Sequence, residues 1–600
     1  MKAHLSAKSW LFIFLALLTA VRLVLAASYE LSPDEAYYFQ WAQHPALSYF
    51  SKGPGVAMAI RASTAIFGAN EFGVRFFSPL LALGTSLILF GFARRLYGES
   101  AGIWIALTMN FIPIFNVGAL VMTIDPLSIF FWAAALWTFW IALEKSPHFS
   151  RWWPLTGLLI GLGFLSKYTN AMQLLSIVLV LATTRKFRRE FKRPGFYAML
   201  FVFAICTIPV IIWNSQHAWI TLTHLRNRGS LDSPFAIHPS EFGKFLGAQL
   251  GVFSPLIFVG MFAALWWSRP LAIRHFKPRF LVLFAVPLLA MYFVLALKKA
   301  GEPNWTAPAF LSLGILSAAL WQENATSARA SFWKKRFAFA ALALGVLMSV
   351  LVLDTDFVRL AGFRWDYRKD PSGRLRGWKT SALAVSDVRK KFENETGKPV
   401  FLIANKYQTA ASIGFYLPEK NSASDVAAMA GLRGHPPVYI PESQNIENQF
   451  SFFPRYDEME DLRQLARDFL NSPDSANATN GGQSELRDSL KEALAAMPEE
   501  VDQNNERAAT EARRKLAETL HAANPALPID ESFTSEGVNF FIGKNALYIT
   551  DDPRENDPPT SLQRGFERVE MIARLQITRR GLPLRELRVF ACYNYRSVSL

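Results

Sequence analysis

Two carboxylates stand side by side in Ser32-Pro33-Asp34-Glu35-Ala36-Tyr37-Tyr38, directly after a long apolar run, and a third, Asp125, sits in Thr123-Ile124-Asp125-Pro126 between two more such runs. Cations recur in segments of the same kind. Lys52 lies in Tyr49-Phe50-Ser51-Lys52-Gly53-Pro54, Lys167 precedes Tyr168, and His217, His224, Arg226 and Arg228 share Trp213–Arg228. Lys298 and Lys299 are followed by Glu302. Acids flanked by Lys and Arg from neighbouring loops suit two tasks: activating an acceptor hydroxyl or amine as a general base, and holding an anionic group at a bilayer surface. A nearby cation keeps the carboxylate ionised, and the same cation stabilises a departing phosphate where charge develops. Tyr37, Lys167, Tyr168, Lys299 and Glu302 are further candidates to line such a cavity. Each feature has a plainer reading beside it. Asp34-Glu35 after Pro33 is also a helix N-terminal acid pair, Asp125 a helix cap, and Lys52 an interfacial side chain with its ammonium in water. His217 and His224 lack HxxH or HExxH spacing, and two cysteines, Cys206 and Cys592, supply neither a disulfide framework nor a CxxC zinc site.

The elements that must position these residues are helices long enough to cross a bilayer. A span needs about 20 mainly apolar residues. Segments 9–27, 74–93, 101–120, 126–143, 153–166, 170–184, 196–213, 245–267, 280–297, 305–321 and 336–353 qualify or nearly so, giving about eleven, with the first kept as an anchor rather than a signal peptide. The net charge of +15 on 600 residues invites a nucleic-acid partner, but its distribution does not. Met1–Asp354 carries 30 Lys+Arg against 13 Asp+Glu, and Thr355–Leu600 carries 33 against 35. Most of the N-terminal cations, six of them within 185–193, fall in loops on one side of the spans. Basic loops stay cytoplasmic, so the carboxylate-bearing loops and everything after Asp354 are expected on the opposite, extracytoplasmic side. The tryptophans Trp132, Trp137 and Trp140 read as span packing or interfacial anchors.

After Asp354 the pattern becomes that of a soluble α/β domain, 355–600. Lys398–Ile403, Val538–Phe541, Ala546–Thr550 and Met571–Thr578 read as strands and Gln408–Tyr416 as a helix. A polar insertion, about 456–526, has helical spacing in Glu485–Met497 and Asn505–Ala522, with Ser472–Gln483 read as a mobile stretch.

Taken in order, the Ser32–Tyr38 run, the Tyr49–Pro54 loop, Thr123–Pro126, Trp213-Asn214-Ser215-Gln216-His217-Ala218-Trp219 and Pro303-Asn304-Trp305-Thr306-Ala307-Pro308 resemble bacterial family-39-type glycosyltransferases. These are GT-C relatives of protein mannosyltransferases and of the aminoarabinose and galacturonosyl transferases that modify lipid A. The resemblance covers about 1–350, with a weaker echo in Asn405–Ala411 through Phe415-Tyr416-Leu417. It implies a polytopic α-helical GT-C protein of the bacterial inner membrane, with an extracytoplasmic C-terminal domain capping the opening. The implied reaction is an inverting transfer of one sugar from a polyprenyl-phosphate donor to a lipid, glycan or protein. By position Asp34 matches the catalytic base and Asp125 a second acid, with Glu35 as a further catalytic candidate. Lys52, His224 and Arg228, joined by Arg226, match a clamp for the donor phosphate. Some relatives place an acid before the corresponding lysine as a metal ligand. Here that residue is Ser51, so the resemblance does not carry a divalent metal over. The competing class is a multi-span transporter or flippase of an anionic lipid-linked substrate, which predicts internal repeats and midspan ionisable groups. No repeat is visible, and Arg22 is nearly alone as a midspan charge.

Overall fold

The computed structural model describes residues 6–596 except 233, 323–327, 361, 363–366, 368–369, 419–433, 444, 459–460, 472–480, 498–505, 524–532 and 535–536. Most of the Ser472–Gln483 stretch therefore lies outside the described residues, as do parts of the insertion on either side. The chain divides into two compact units, Met1–Trp365 with Asp370–Arg374, and Asp366–Lys369 with Leu375–Leu600.

The first unit is helical. In chain order it contains α1 (Ala7–Ser28), α2 (Pro33–Gln43), α3 (Gly55–Phe67), α4 (Glu71–Arg75), α5 (Phe77–Tyr97), α6 (Glu99–Phe111), α7 (Pro113–Gly118), α8 (Ile124–Glu144) and α9 (Trp152–Ser166). Then follow α10 (Met172–Thr183), α11 (Pro194–Gln216), α12 (Ile220–Arg228), α13 (Pro239–Phe253), α14 (Pro255–Trp267), α15 (Arg269–Arg274), α16 (Phe276–Lys298), α17 (Ala307–Gln322) and α18 (Ala328–Leu353). Among the described residues six helices are long and apolar enough to span, or seven if the bent pair α13–α14 is one span. The expected count of about eleven is not reached by this measure, for local reasons. Pro113 divides 101–120 into α6 and α7, and α13 meets α14 at 105°. The 153–166 and 170–184 segments form the short helices α9 and α10, and 305–321 yields only the 16 residues of α17. Trp10, Leu17, Val21 and Val24 of α1 and Phe201, Ile205, Ile208 and Ile211 of α11 are exposed. Apolar ridges of this length need lipid to cover them, and the chain is a multi-pass membrane protein.

Inside the bundle, Trp132 and Phe139 of α8 pack with Phe280, Phe284 and Leu288 of α16 and Phe310 of α17. Trp132 and Trp140 are thus core residues, as the packing reading had it. Close helix crossings are set by small residues: a Cβ on Gly157 of α9 would lie 2.1 Å from the Met199 carbonyl of α11.

In the second unit a four-stranded sheet runs in the order β1 (Val400–Ala404), β4 (Asn545–Thr550), β6 (Leu582–Tyr595), β5 (Phe566–Arg579). The first pair is parallel and the other two antiparallel. A separate two-stranded ribbon joins β2 (Phe533–Thr534) and β3 (Gly537–Val538). All of β1 and β4 is buried, which explains their continuous apolar runs. The expected strands over 398–403, 546–550 and 571–578 are present, and the 408–416 helix is observed as Tyr407–Tyr416. Of the expected Val538–Phe541 strand only Val538 is strand, paired in Gly537–Val538; Asn539 instead turns the chain, its side-chain oxygen accepting from Phe541 N–H at 2.9 Å. The insertion's two helices are Gly481–Ala495 and Glu506–Ala523.

Candidate active site

Several candidate residues of the first unit make direct bonds, and the two neighbouring acids have opposite fates. Ser32 caps α2, and Pro33 occupies its first turn, where no intrahelical N–H is needed. Glu35 closes a capping box: its Oε2 accepts from Ser32 N–H at 2.8 Å and from Arg75 Nη2 at 2.7 Å. Its Oε1 accepts from Arg75 Nε at 2.7 Å and from Met122 N–H at 2.9 Å. Arg75 also donates to the carbonyls of Tyr29 and Glu30 at 2.7 and 2.8 Å. Glu35 and Arg75 are 0% and 4% exposed. With both oxygens committed, Glu35 locks the end of α1, the start of α2, α4 and the loop before α8 together. This corrects its reading as a catalytic acid, because it offers no lone pair to a substrate. Asp34, one residue earlier on the same helix turn, points to the exposed side.

The 122 loop that Glu35 fastens leads to Asp125. Its Oδ1 accepts from Lys167 Nζ and its Oδ2 from Asn304 Nδ2, both at 2.7 Å. Lys167 is 5% exposed and sits where α9 ends. Tyr168 follows, its hydroxyl 3.2 Å from Ser48 Oγ. Lys52 is placed by close packing of its loop, since a Cβ on Gly53 would meet the Leu165 carbonyl at 2.3 Å. Among the described residues the Lys52 ammonium has no hydrogen-bond or ion-pair partner. Burial, reinforced by the like charges of Lys167 and Arg228 and partly offset by Asp125, pulls its pKa down to about 8.

Helix α12 contributes His224 and Arg228. His224 lies against Phe50 with ring centroids 4.6 Å apart, and its buried Nε2 has no hydrogen-bond partner among the described residues. Burial, then the charges of Lys52 and Arg228, lower its pKa to about 4, so the ring is neutral at physiological pH. Arg228 sits over the Trp305 ring at 5.5 Å and reaches Glu302 at 3.3 Å. Arg226, two residues earlier, is exposed and pairs with Asp232, and Lys299 is exposed at the end of α16. Neither is joined to the Asp125 cluster by a bond. Tyr37 is buried against Trp41, with ring centroids 5.1 Å apart, as part of the α2 packing. His217 stacks on Trp213 at 4.0 Å and bonds its carbonyl.

The structure therefore gathers Lys52, Asp125, Lys167, Arg228 and Glu302 into one charged cluster with His224 and Tyr168 at its margin, and leaves out Glu35, Arg226, Tyr37 and Lys299. It adds Asn304, which the sequence presented only within the Pro303–Pro308 motif, while Arg75, also unmarked in the sequence, belongs with Glu35. A divalent cation does not fit this group. Among the described residues no three His, Cys, Asp or Glu side chains lie close enough to share one, and His224 faces cations rather than acids. What the cluster can do is bind an anion, since three cations face two carboxylates and one of those cations, Lys52, is unpaired.

Residues 51–213 match the family model described as dolichyl-phosphate-mannose-protein mannosyltransferase. The lipid A galacturonosyltransferase RgtD of Rhizobium johnstonii is 28% identical over 304 residues, 48% of this chain and 59% of that protein. Undecaprenyl phosphate-alpha-4-amino-4-deoxy-L-arabinose arabinosyl transferase 2 of Pseudomonas fluorescens is 32% identical over 151 residues, 22% of this chain and 27% of that protein. The chain thus spans less than two thirds of the length of these curated relatives. The crystal structure of ArnT from Cupriavidus metallidurans in the apo state aligns with 98% of both chains, at a TM-score of 0.53 and 16% identity. The same protein bound to undecaprenyl phosphate aligns over 98% of each at 0.50 and 17% identity. Sequence motifs, family match and fold agree: this chain has the GT-C membrane fold of ArnT.

Proposed function

We propose that the chain is an inverting glycosyltransferase that moves a sugar from a polyprenyl-phosphate carrier to an acceptor on the extracytoplasmic face of the bacterial inner membrane, with the segment after Asp354 on that side. The observation that carries this reading is the gathering of Lys167, Arg228 and Asp125 about Lys52, built from segments at the helix ends of a membrane bundle. A site of this sign and setting suits a phosphate on a lipid. The relatives named above, which carry transferase names, and the likeness to a structure bound to undecaprenyl phosphate support the same reading. Neither favours transport.

In the proposed reaction the acceptor's hydroxyl or amine attacks the anomeric carbon as the bond from that carbon to the phosphate oxygen breaks, inverting the configuration. Asp34 takes the acceptor's proton, and the polyprenyl phosphate leaves carrying the bonding pair. Lys52 and Arg228 neutralise the oxygen charge that grows during this step. Asp125 acts by holding Lys167 and Asn304 in place, and neutral His224 contributes shape beside Lys52. Glu35 acts only by fixing α2, and hence Asp34. The assignment is tested with Asp34→Asn in purified protein supplied with a polyprenyl-phosphate sugar. Donor binding and thermal stability are expected to stay near wild type while turnover falls by about a thousandfold or more. Full turnover in that variant would remove Asp34 as the base.

A further inference from the structure

The connector between α10 and α11 lies at the opposite end of those helices from Lys167 and His217, and residues 185–193 carry six cations against one acid. It is not a loose loop. Arg185–Lys192 form a 3-10 helix, in which side chains three apart stand one above another in three rows. One row faces the bundle, where Thr184, Phe187 and Glu190 are buried. Phe187 packs on Phe276 of α16 with ring centroids 4.9 Å apart, and Phe191 on Phe196 of α11 at 5.3 Å. Glu190 accepts from Ser146 Oγ and Arg193 Nη1, so the one acid of the segment and its sixth cation are spent on each other.

The other two rows carry the remaining five cations outward. Arg185 and Arg188 stand in one and Lys186, Arg189 and Lys192 in the other, and all five are exposed. Among the described residues none of the five has an ion-pair partner; Arg188 donates to the Ala182 carbonyl at 2.8 Å. At about 2.0 Å of rise per residue, neighbours in a row are roughly 6 Å apart, inside the Debye length of about 8–10 Å. Like charges fixed this close repel until an anion joins them. Orienting the chain needs no such geometry, since a positive excess in a flexible loop serves equally. Rows of unpaired cations on a scaffold pinned by two aromatic contacts and a buried acid form an anion-binding face. The flanking helices indicate which anion. Leu175 and Val178 of α10 are exposed, and so are Tyr197 and Phe201, which share one face of α11. A ligand meeting both features has a phosphate at one end and hydrocarbon at the other.

We propose that the 3-10 helix Arg185–Lys192 is a binding site for an acidic phospholipid of the adjoining leaflet, its phosphate held by the two cation rows and its acyl chains lying on the α10 and α11 ridges. The site is separate from the Asp125 cluster and does not depend on the reaction proposed there.

The test titrates the purified, delipidated full chain in detergent with diphosphatidylglycerol or with zwitterionic phosphatidylethanolamine of matched acyl chains, and counts bound lipids by native mass spectrometry. Wild type is expected to bind diphosphatidylglycerol about tenfold more tightly. Lys186→Gln/Arg189→Gln, which leaves four cations in the segment, should bring the two lipids to within about twofold of each other. Arg185→Gln/Lys192→Gln gives the same reading if the first variant does not fold. Arg94→Gln/Lys145→Gln removes the same charge from two other exposed positions, at the ends of α5 and α8, and should leave the preference intact. Equal affinities in wild type, or an unchanged preference in the folded segment variant, would overturn the proposal. So would an equal loss in both kinds of variant, because cations at either place would then serve as well.

Discussion

Replacing Glu35 by glutamine removes one negative charge from a place that water does not reach. In the native arrangement each carboxylate oxygen accepts two bonds, one from Arg75 and one from a backbone N–H of Ser32 or Met122. A glutamine amide can satisfy only one of these pairs; whichever way it turns, its NH₂ faces two donors. Arg75, 4% exposed, is then left charged without a counter-ion. Breaking a buried pair from one side costs about 3–5 kcal/mol. For a domain of this size that is a fall in Tm of roughly 5–10 °C, read by thermal unfolding in detergent. The protein that remains folded should retain a near-normal donor KM, since Glu35 touches no substrate. The double variant Glu35→Gln/Arg75→Met should recover much of the loss, because both buried charges are gone, and the resulting coupling energy measures the pair. A Glu35→Gln protein with wild-type Tm and no activity would refute this reasoning and return Glu35 to the chemistry.

Three further outcomes follow from the geometry. Lys52 has a pKa of about 8 and binds anions only as its ammonium form, so kcat/KM should drop by about tenfold per pH unit above that value; Lys52→Arg, charged throughout, should abolish this limb, and a limb that persists would assign it to another group. Because the unfolded chain holds the Lys52 proton more tightly than the folded one, stability should rise, not fall, as pH climbs from about 8 to 10. Asn304→Ala removes one of the two donors fixing Asp125 and should lower kcat/KM by about tenfold to a hundredfold with little change in Tm; an unaltered rate would show that Lys167 alone suffices. Ser254, fully buried at the α13–α14 bend, has φ +64°, and Ser254→Gly should raise stability by about 1 kcal/mol, whereas a lower Tm would refute backbone strain there.

Most of the cluster was legible as residue types in the right loops, because hydropathy alone assigns those loops to one side. What the sequence could not reveal was pairing. Asp34 and Glu35 are adjacent and chemically alike, and only Arg75, forty positions away, separates a structural acid from an exposed one. The same holds for Arg226 and Arg228: two residues apart on a helix they diverge by about 200°, so one meets Trp305 and Glu302 while the other finds Asp232. Asn304 carried no charge to draw notice. In the second unit, β1 and β4 announce themselves through unbroken apolar runs. The long β6 was missed because Arg585, Glu586 and Arg588 interrupt its pattern, although Arg588 is buried and bonds the carbonyls of Pro553 and Glu555.

The unpartnered ammonium of Lys52 has a consequence for the end of the catalytic cycle. In the proposed reaction the donor is a phosphodiester with one negative charge, and the carrier left behind is a phosphomonoester with nearly two at neutral pH. A pocket holding a spare cation therefore grips the spent carrier harder than the fresh one. Release of the lipid phosphate, rather than transfer of the sugar, then becomes the slow step, and added polyprenyl phosphate becomes a strong competitive inhibitor.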